Sequence, residues 1–135
     1  MKIEINNLTK LKINLQLMKK VARLFFREHE IGDQELSLAI VGDAAIKKLN
    51  QKYRGINKPT DVLSFAGEGE MLGEIVLDWA QIKRQAKQSG LTAERELAFI
   101  LTHGLLHLIG YDDKTEAERV KMIKLGERFI EKLKL

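Results

Sequence analysis

Residues 97–113, L-A-F-I-L-T-H-G-L-L-H-L-I-G-Y-D-D, decide the fold. Leu97, Phe99, Ile100, Leu101, Leu105, Leu106, Leu108 and Ile109 spread around the whole circumference of a helix. A helix apolar on all sides belongs at the centre of a domain, and this one is predicted to open at Thr92 and run to about Ile109. His103 and His107 interrupt its apolar surface at a spacing of four, which puts both imidazoles on one stripe about a turn apart. Gly110 then lets the chain leave the helix and turn back, bringing Tyr111, Asp112 and Asp113 toward that stripe. Two histidines and a carboxylate would hold a divalent ion with a coordination position left open, as catalytic sites do. The other reading is a buried helix whose two neutral imidazoles are satisfied by backbone or hydroxyl partners; spacing alone leaves both open.

The elements around this helix are ordinary. Lys2–Ile5, Glu35–Val41, Asp61–Phe65 and Met71–Leu77 alternate as strands, and Gly67 and Gly69 between the last two suit a hairpin joining antiparallel neighbours. Leu17, Val21, Leu24 and Phe25 give a first helix its apolar stripe. Asp43 reads as the cap of a second, with Ile46, Leu49 and Tyr53 facing inward. A third runs from Trp79 to Ser89 and closes at Gly90. Thr115 and Glu118 have capping-box spacing before the last helix, with Val120, Ile123, Phe129, Ile130 and Leu133 on its inner face. The expectation is one α+β domain over residues 1–135, with about four strands in a mixed sheet and about five helices.

The 135-residue length fits one domain, and 44% hydrophobic with 31% charged residues is the composition of a soluble globular protein. M-K-I-E-I-N-N-L-T-K lacks the apolar core of a signal peptide, and no run approaches the ~18 apolar residues of a membrane span, so a cytoplasmic location is expected. With no cysteine, disulfide frameworks, thiolate nucleophiles and Cys-ligated zinc are excluded, and any metal must be held by His, Asp or Glu. A net charge of +4 suits an acidic polymer such as RNA, as it also suits a plain solvated surface.

H-G-L-L-H-L-I-G-Y-D at 103–112 closely resembles the signature of the YbeY family, bacterial metal-dependent single-strand endoribonucleases of ribosomal RNA maturation and ribosome quality control. L-N-Q-K-Y-R-G at 49–55, T-D-V-L-S-F at 60–65 and L-G-E-I at 72–75 resemble that family's other blocks in order and spacing. The resemblance implies three metal ligands in H-x3-H-x5-H spacing, at His103, His107 and position 113, where this chain has Asp113. Asp112 is the alternative carboxylate. A carboxylate keeps the ligand count but lowers the local charge by one unit, so zinc is expected, with manganese or magnesium more competitive. The resemblance also makes Arg54 the catalytic arginine, and it implies single-stranded RNA as substrate, ribosomal RNA of the small subunit at the 16S 3′ end, with no DNA or membrane partner.

Single residues carry less. Arg54 taken alone is a surface arginine at a helix C-terminus. Taken bare, Thr60, Asp61 and Ser64 read as a turn followed by an edge or central strand; the resemblance implies that this strand borders the cleft, with Thr60 and Ser64 contacting substrate, Lys58 as a backbone contact and Asp61 organising its loop. The block resembles one often followed by proline, where this chain has Ala66. His29 reads as a surface residue; Tyr53, Phe65 and Tyr111 can stack on bases, though such aromatics are mostly core. Gly104 stands where a zincin protease, with H-E-x-x-H on a similar helix, places its general base. Two alternatives to the nuclease remain: a small metal-dependent hydrolase acting on peptides, and a ribosome-associated RNA-binding protein with a structural metal.

Overall fold

The computed structural model describes residues 1–135, and its elements follow the chain as β1 (Lys2–Asn7), α1 (Leu15–Glu28), β2 (Glu35–Val41), α2 (Asp43–Arg54), β3 (Val62–Ala66), β4 (Met71–Asp78), α3 (Trp79–Ser89), α4 (Ala93–Leu108) and α5 (Glu116–Glu131). The expected α+β domain of four strands and five helices is thus observed. The sheet has the order β1-β2-β4-β3. β1 and β4 both run parallel to β2, while β3 pairs antiparallel with β4, Phe65 opposite Glu74, as the hairpin spacing predicts. β3 is therefore an edge strand, and its free edge borders the site.

Period-two alternation divides the sheet residues between two faces. Leu36, Leu38, Ile40, Ile75 and Leu77 join the main core with α1, α3, α4 and α5. Val41, Leu63 and Val76 form a smaller cluster with Ile46 of α2. α4 lies in the middle of the larger layer, with Leu97, Leu101 and Leu105 fully buried. Gly104 explains how it can lie so close to the sheet: a Cβ there would stand 3.1 Å from Ser64 Oγ and 3.2 Å from two carbons of Ile75. Any side chain at this position would press on the sheet, and with glycine here the helix carries no general base of the kind a zincin protease needs.

Three local expectations are corrected. Asp43 does not cap α2; Gly42 is the N-cap, without a side-chain hydrogen bond, and Asp43 accepts from Arg84 at 2.8 Å instead. Tyr53 is 56% exposed rather than inward, because Ile46 and Asn50 occupy the buried stripe of α2. Val120 and Ile123 are also exposed; Met122, Phe129, Ile130 and Leu133 make the inner face of α5, and its capping box is present. His29 is exposed as expected, its ring packed on Phe25.

Asp78 went unnoticed in the sequence and is fully buried. Its Oδ1 caps α3 by accepting from Gln81 N at 3.1 Å, and its Oδ2 has no partner apart from the neighbouring Asp43 carboxylate. Burial, then the hydrogen bond with Asp43, pushes the Asp78 carboxyl up to about 6. The Arg84 hydrogen bond holds Asp43 below its ordinary value. A folded-state pKa above the unfolded value of 3.8 contributes stability below pH 4 that is lost as pH rises through about 6. Asp78→Asn keeps the cap and cannot ionise. Urea unfolding is expected to find it more stable than the parent at pH 7, by on the order of 3 kcal/mol, and nearly equal at pH 4; a deficit of the same size at both pH values would contradict this.

Candidate metal centre and cleft

α4 ends in a turn that builds the site. Gly110 takes φ +106°, its N–H donates to His107 O, and Tyr111 N–H donates to Leu106 O, both at 3.1 Å. This is the Schellman arrangement, in which a glycine just past the helix end satisfies two terminal carbonyls. The same turn brings the Tyr111 carbonyl to 3.1 Å from His107 Nδ1. An acceptor there holds the ring proton on Nδ1 and leaves the Nε2 lone pair free for a metal.

Asp113 comes round to meet both imidazoles. Its Oδ2 lies 3.3 Å from His103 Nε2 and 3.4 Å from His107 Nε2. All three donor atoms fall within 4.8 Å of one another. Tetrahedral zinc with bonds of 2.0–2.1 Å separates its donors by about 3.3 Å, so the two carboxylate–imidazole edges already have the length the ion requires. Burial, with His107 alongside, lowers the His103 pKa against the opposing pull of Asp113. A neutral imidazole results, which is the form that binds metals. The donor set therefore fits a divalent ion. Asp112 is engaged elsewhere, accepting from Asp113 N at 2.8 Å and pairing with Lys114 at 3.6 Å, so Asp113 is the carboxylate presented to the histidines.

The three donors line a cleft of about 1060 Å³ between the β3 edge, α4 and the turn into α5. Arg54, the last residue of α2, lines it, as do Thr60 and Ser64. Ser64 Oγ donates to Gly104 O at 3.2 Å, so its proton already ties the edge strand to α4. Lys58 is exposed and lies outside the lining; its carbonyl accepts from Asn50 Nδ2. Asp61 precedes β3 rather than belonging to it, lines the cleft and accepts from Gln85 Nε2 at 3.1 Å. Lys114 and Arg119 also line the cleft. They were missed in the sequence, where the only pointer to them was their closeness to Asp113 across the helix-terminating turn.

The chain is similar to known proteins over most of its length. A family model for Endoribonuclease YbeY matches residues 2–134. Among curated relatives, the Endoribonuclease YbeY of Syntrophomonas wolfei is 45% identical over 115 residues, 75% of this chain and 74% of the relative. That of Halalkalibacterium halodurans is 42% identical over 127 residues, 83% and 79% of the two chains. That of Geobacillus sp. (strain WCH70) is 37% identical over 145 residues, 96% and 91%. A solution structure of a Thermotoga maritima protein superposes with a TM-score of 0.67 at 30% identity, over 96% of this chain and 87% of that one. With the family pattern matched over nearly its whole length and these relatives covering most of it, the chain belongs to the YbeY family of endoribonucleases.

Proposed function

We propose that the cleft cuts single-stranded RNA with one zinc ion held by His103, His107 and Asp113 and with Arg54 as the catalytic arginine. Family membership makes the chain an endoribonuclease acting in ribosomal RNA maturation, and it disfavours both the protease-like and the non-catalytic alternative. The observation that carries the residue assignment is the meeting of Asp113 Oδ2 with both Nε2 atoms at 3.3 and 3.4 Å in a cleft that Arg54 also lines.

Each residue has a physical task. When bound, the ion supplies Lewis-acid polarisation of the scissile phosphoryl group. Tyr111 O keeps the His107 proton on Nδ1, so that Nε2 remains a ligand. Arg54 can pair two phosphoryl oxygens at once, and this matters most as negative charge builds on them. Thr60 and Ser64 border the bound strand on the β3 side, Lys114 and Arg119 on the other, and Lys58 meets the backbone where it leaves the cleft. The substrate is ribosomal RNA of the small subunit, at the 16S 3′ end, in the cytoplasm; DNA and membranes are not partners. The +4 net charge supports an RNA partner, and no helix is long and apolar enough to cross a membrane.

The test is gel-resolved cleavage of end-labelled RNA, single-stranded beside duplex, by untagged protein with and without chelator. Chelator-sensitive internal cuts confined to the single strand are expected; cutting that chelator leaves unchanged would overturn the metal assignment. Asp113→His restores the three-histidine pattern and removes one negative charge. Because carboxylate ligands suit harder ions, the ratio of manganese-supported to zinc-supported activity is expected to fall severalfold in this variant. Metal-free protein reloaded with each ion in turn gives the ratio, and an unchanged value would remove Asp113 from the ligand set.

A further inference from the structure

A second cavity of about 370 Å³ lies against the sheet face that α2 covers, reaching from Leu49 and Tyr53 to the β3–β4 hairpin. Its size falls within the range of about 300–1,000 Å³ usual for small-ligand sites. Val76, Leu49 and Met71 give it an apolar floor, Tyr53 and Phe65 give it aromatic walls, and Glu74 supplies a carboxylate. Tyr53, Phe65 and Ala66 line both this cavity and the metal cleft. The two spaces therefore adjoin across the β3 edge.

We propose that this cavity is a nucleobase subsite that takes a guanine from the RNA strand whose backbone occupies the metal cleft. The proposal rests on the endoribonuclease reading of that cleft and names what the adjoining pocket selects.

Three observations point to a base. Tyr53 is a large aromatic ring left 56% exposed, set edge-on to Phe65 with centroids 4.9 Å apart. Rings so placed at the border of an RNA cleft form a stacking platform for any base. The apolar floor has nothing to offer a phosphate, and the Glu74 carboxylate repels one. Glu74 is exposed and enters none of the chain's ion pairs, so its oxygens remain available as acceptors. The donor and acceptor pattern that faces Glu74 selects the base. A carboxylate accepts two parallel N–H bonds from the N1–H and N2–H of guanine. Adenine and cytosine place a bare acceptor nitrogen beside their amine, and uracil sets a carbonyl on either side of its single N–H. Lys52 lies over the Tyr53 ring with its ammonium 5.1 Å from the centroid. Such an exposed contact is weak, and a stacked base would displace the ammonium toward a neighbouring phosphate.

Binding tests this without cleavage. Metal-stripped protein in chelator is titrated against fluorescein-labelled unstructured octamers that differ at one position, guanine, inosine or uracil, with fluorescence anisotropy as the readout. The guanine octamer is expected to bind most tightly, inosine, lacking the N2 amine, in between, and uracil most weakly. Tyr53→Ala is expected to weaken the guanine octamer by about 5–100-fold while Tyr53→Phe retains it. Glu74→Gln is expected to abolish the guanine-over-uracil difference. Equal wild-type affinity for the three octamers, a Tyr53→Ala affinity within a factor of two, or discrimination that survives Glu74→Gln would each overturn the subsite. Cleavage is scored separately. Metal-dependent cutting by a protein that fails these binding tests sinks the subsite alone; discrimination without cutting keeps the subsite and sinks the nuclease reading.

Discussion

Arg54→Ala is expected to lower the rate of single-stranded RNA cleavage by about 10²–10³-fold, the loss typical when one group aimed at developing charge is removed. The side chain lies at the exposed end of α2, away from both core clusters, so the fold should survive its loss. It is not among the metal donors, so bound metal per chain should match the parent. Arg54→Lys should recover part of the rate, because an ammonium keeps the charge and loses the two-pronged geometry. Initial rates beside atomic-emission metal analysis separate these effects. Parental rates in Arg54→Ala would show that the arginine stands outside the mechanism, and loss of metal together with activity would make its role structural.

His107→Ala is expected to remove the ion and with it the activity. Even replacement of a group that only orients a ligand costs 10–100-fold in metal affinity, so deletion of the ligand itself should cost more than about 100-fold. The ring also anchors the turn, since its Nδ1 meets the Tyr111 carbonyl. His107→Asn provides the control: its amide can still donate to that carbonyl but cannot replace imidazole as a strong ligand. Equilibrium dialysis with zinc measures the effect. Both variants should fall together in zinc affinity, while thermal unfolding of the metal-free proteins should show the asparagine variant closer to the parent. Parental zinc affinity in either variant would take His107 out of the site.

The sequence made the central helix legible because its apolar residues leave no solvated face. Gly110 likewise announced the turn that delivers Asp113, and the two glycines at 67 and 69 announced the hairpin. These are local signals. The parallel pairing of β2 with β1 and with β4 joins strands far apart in the chain, and nothing in any one strand records it. The direction of Tyr53 was misread because Ile46, Leu49 and Tyr53 fit a helical stripe, whereas the buried neighbour of Ile46 is Asn50, which is held by the Lys58 carbonyl. Asp43 fitted the composition of a cap, yet the demand of Arg84 and Asp78 across the fold decided its contacts. That His103, His107 and Asp113 come together was legible from the helical spacing, the Gly110 turn and the resemblance. Arg119 and Lys114 reach the cleft only through the path of the turn, which no spacing rule encodes.

The most direct test is to titrate zinc into fully metal-stripped protein while following, in the same samples, bound metal per chain and the initial rate of single-stranded RNA cleavage. One ion held by His103, His107 and Asp113 predicts that the rate rises in proportion to occupancy and saturates at one ion per chain. Asp113→Ala should shift both curves together to higher zinc. Cleavage at full rate before the site fills, or a filled site with no cleavage by the parent protein, would contradict the assignment of the reaction to this metal centre.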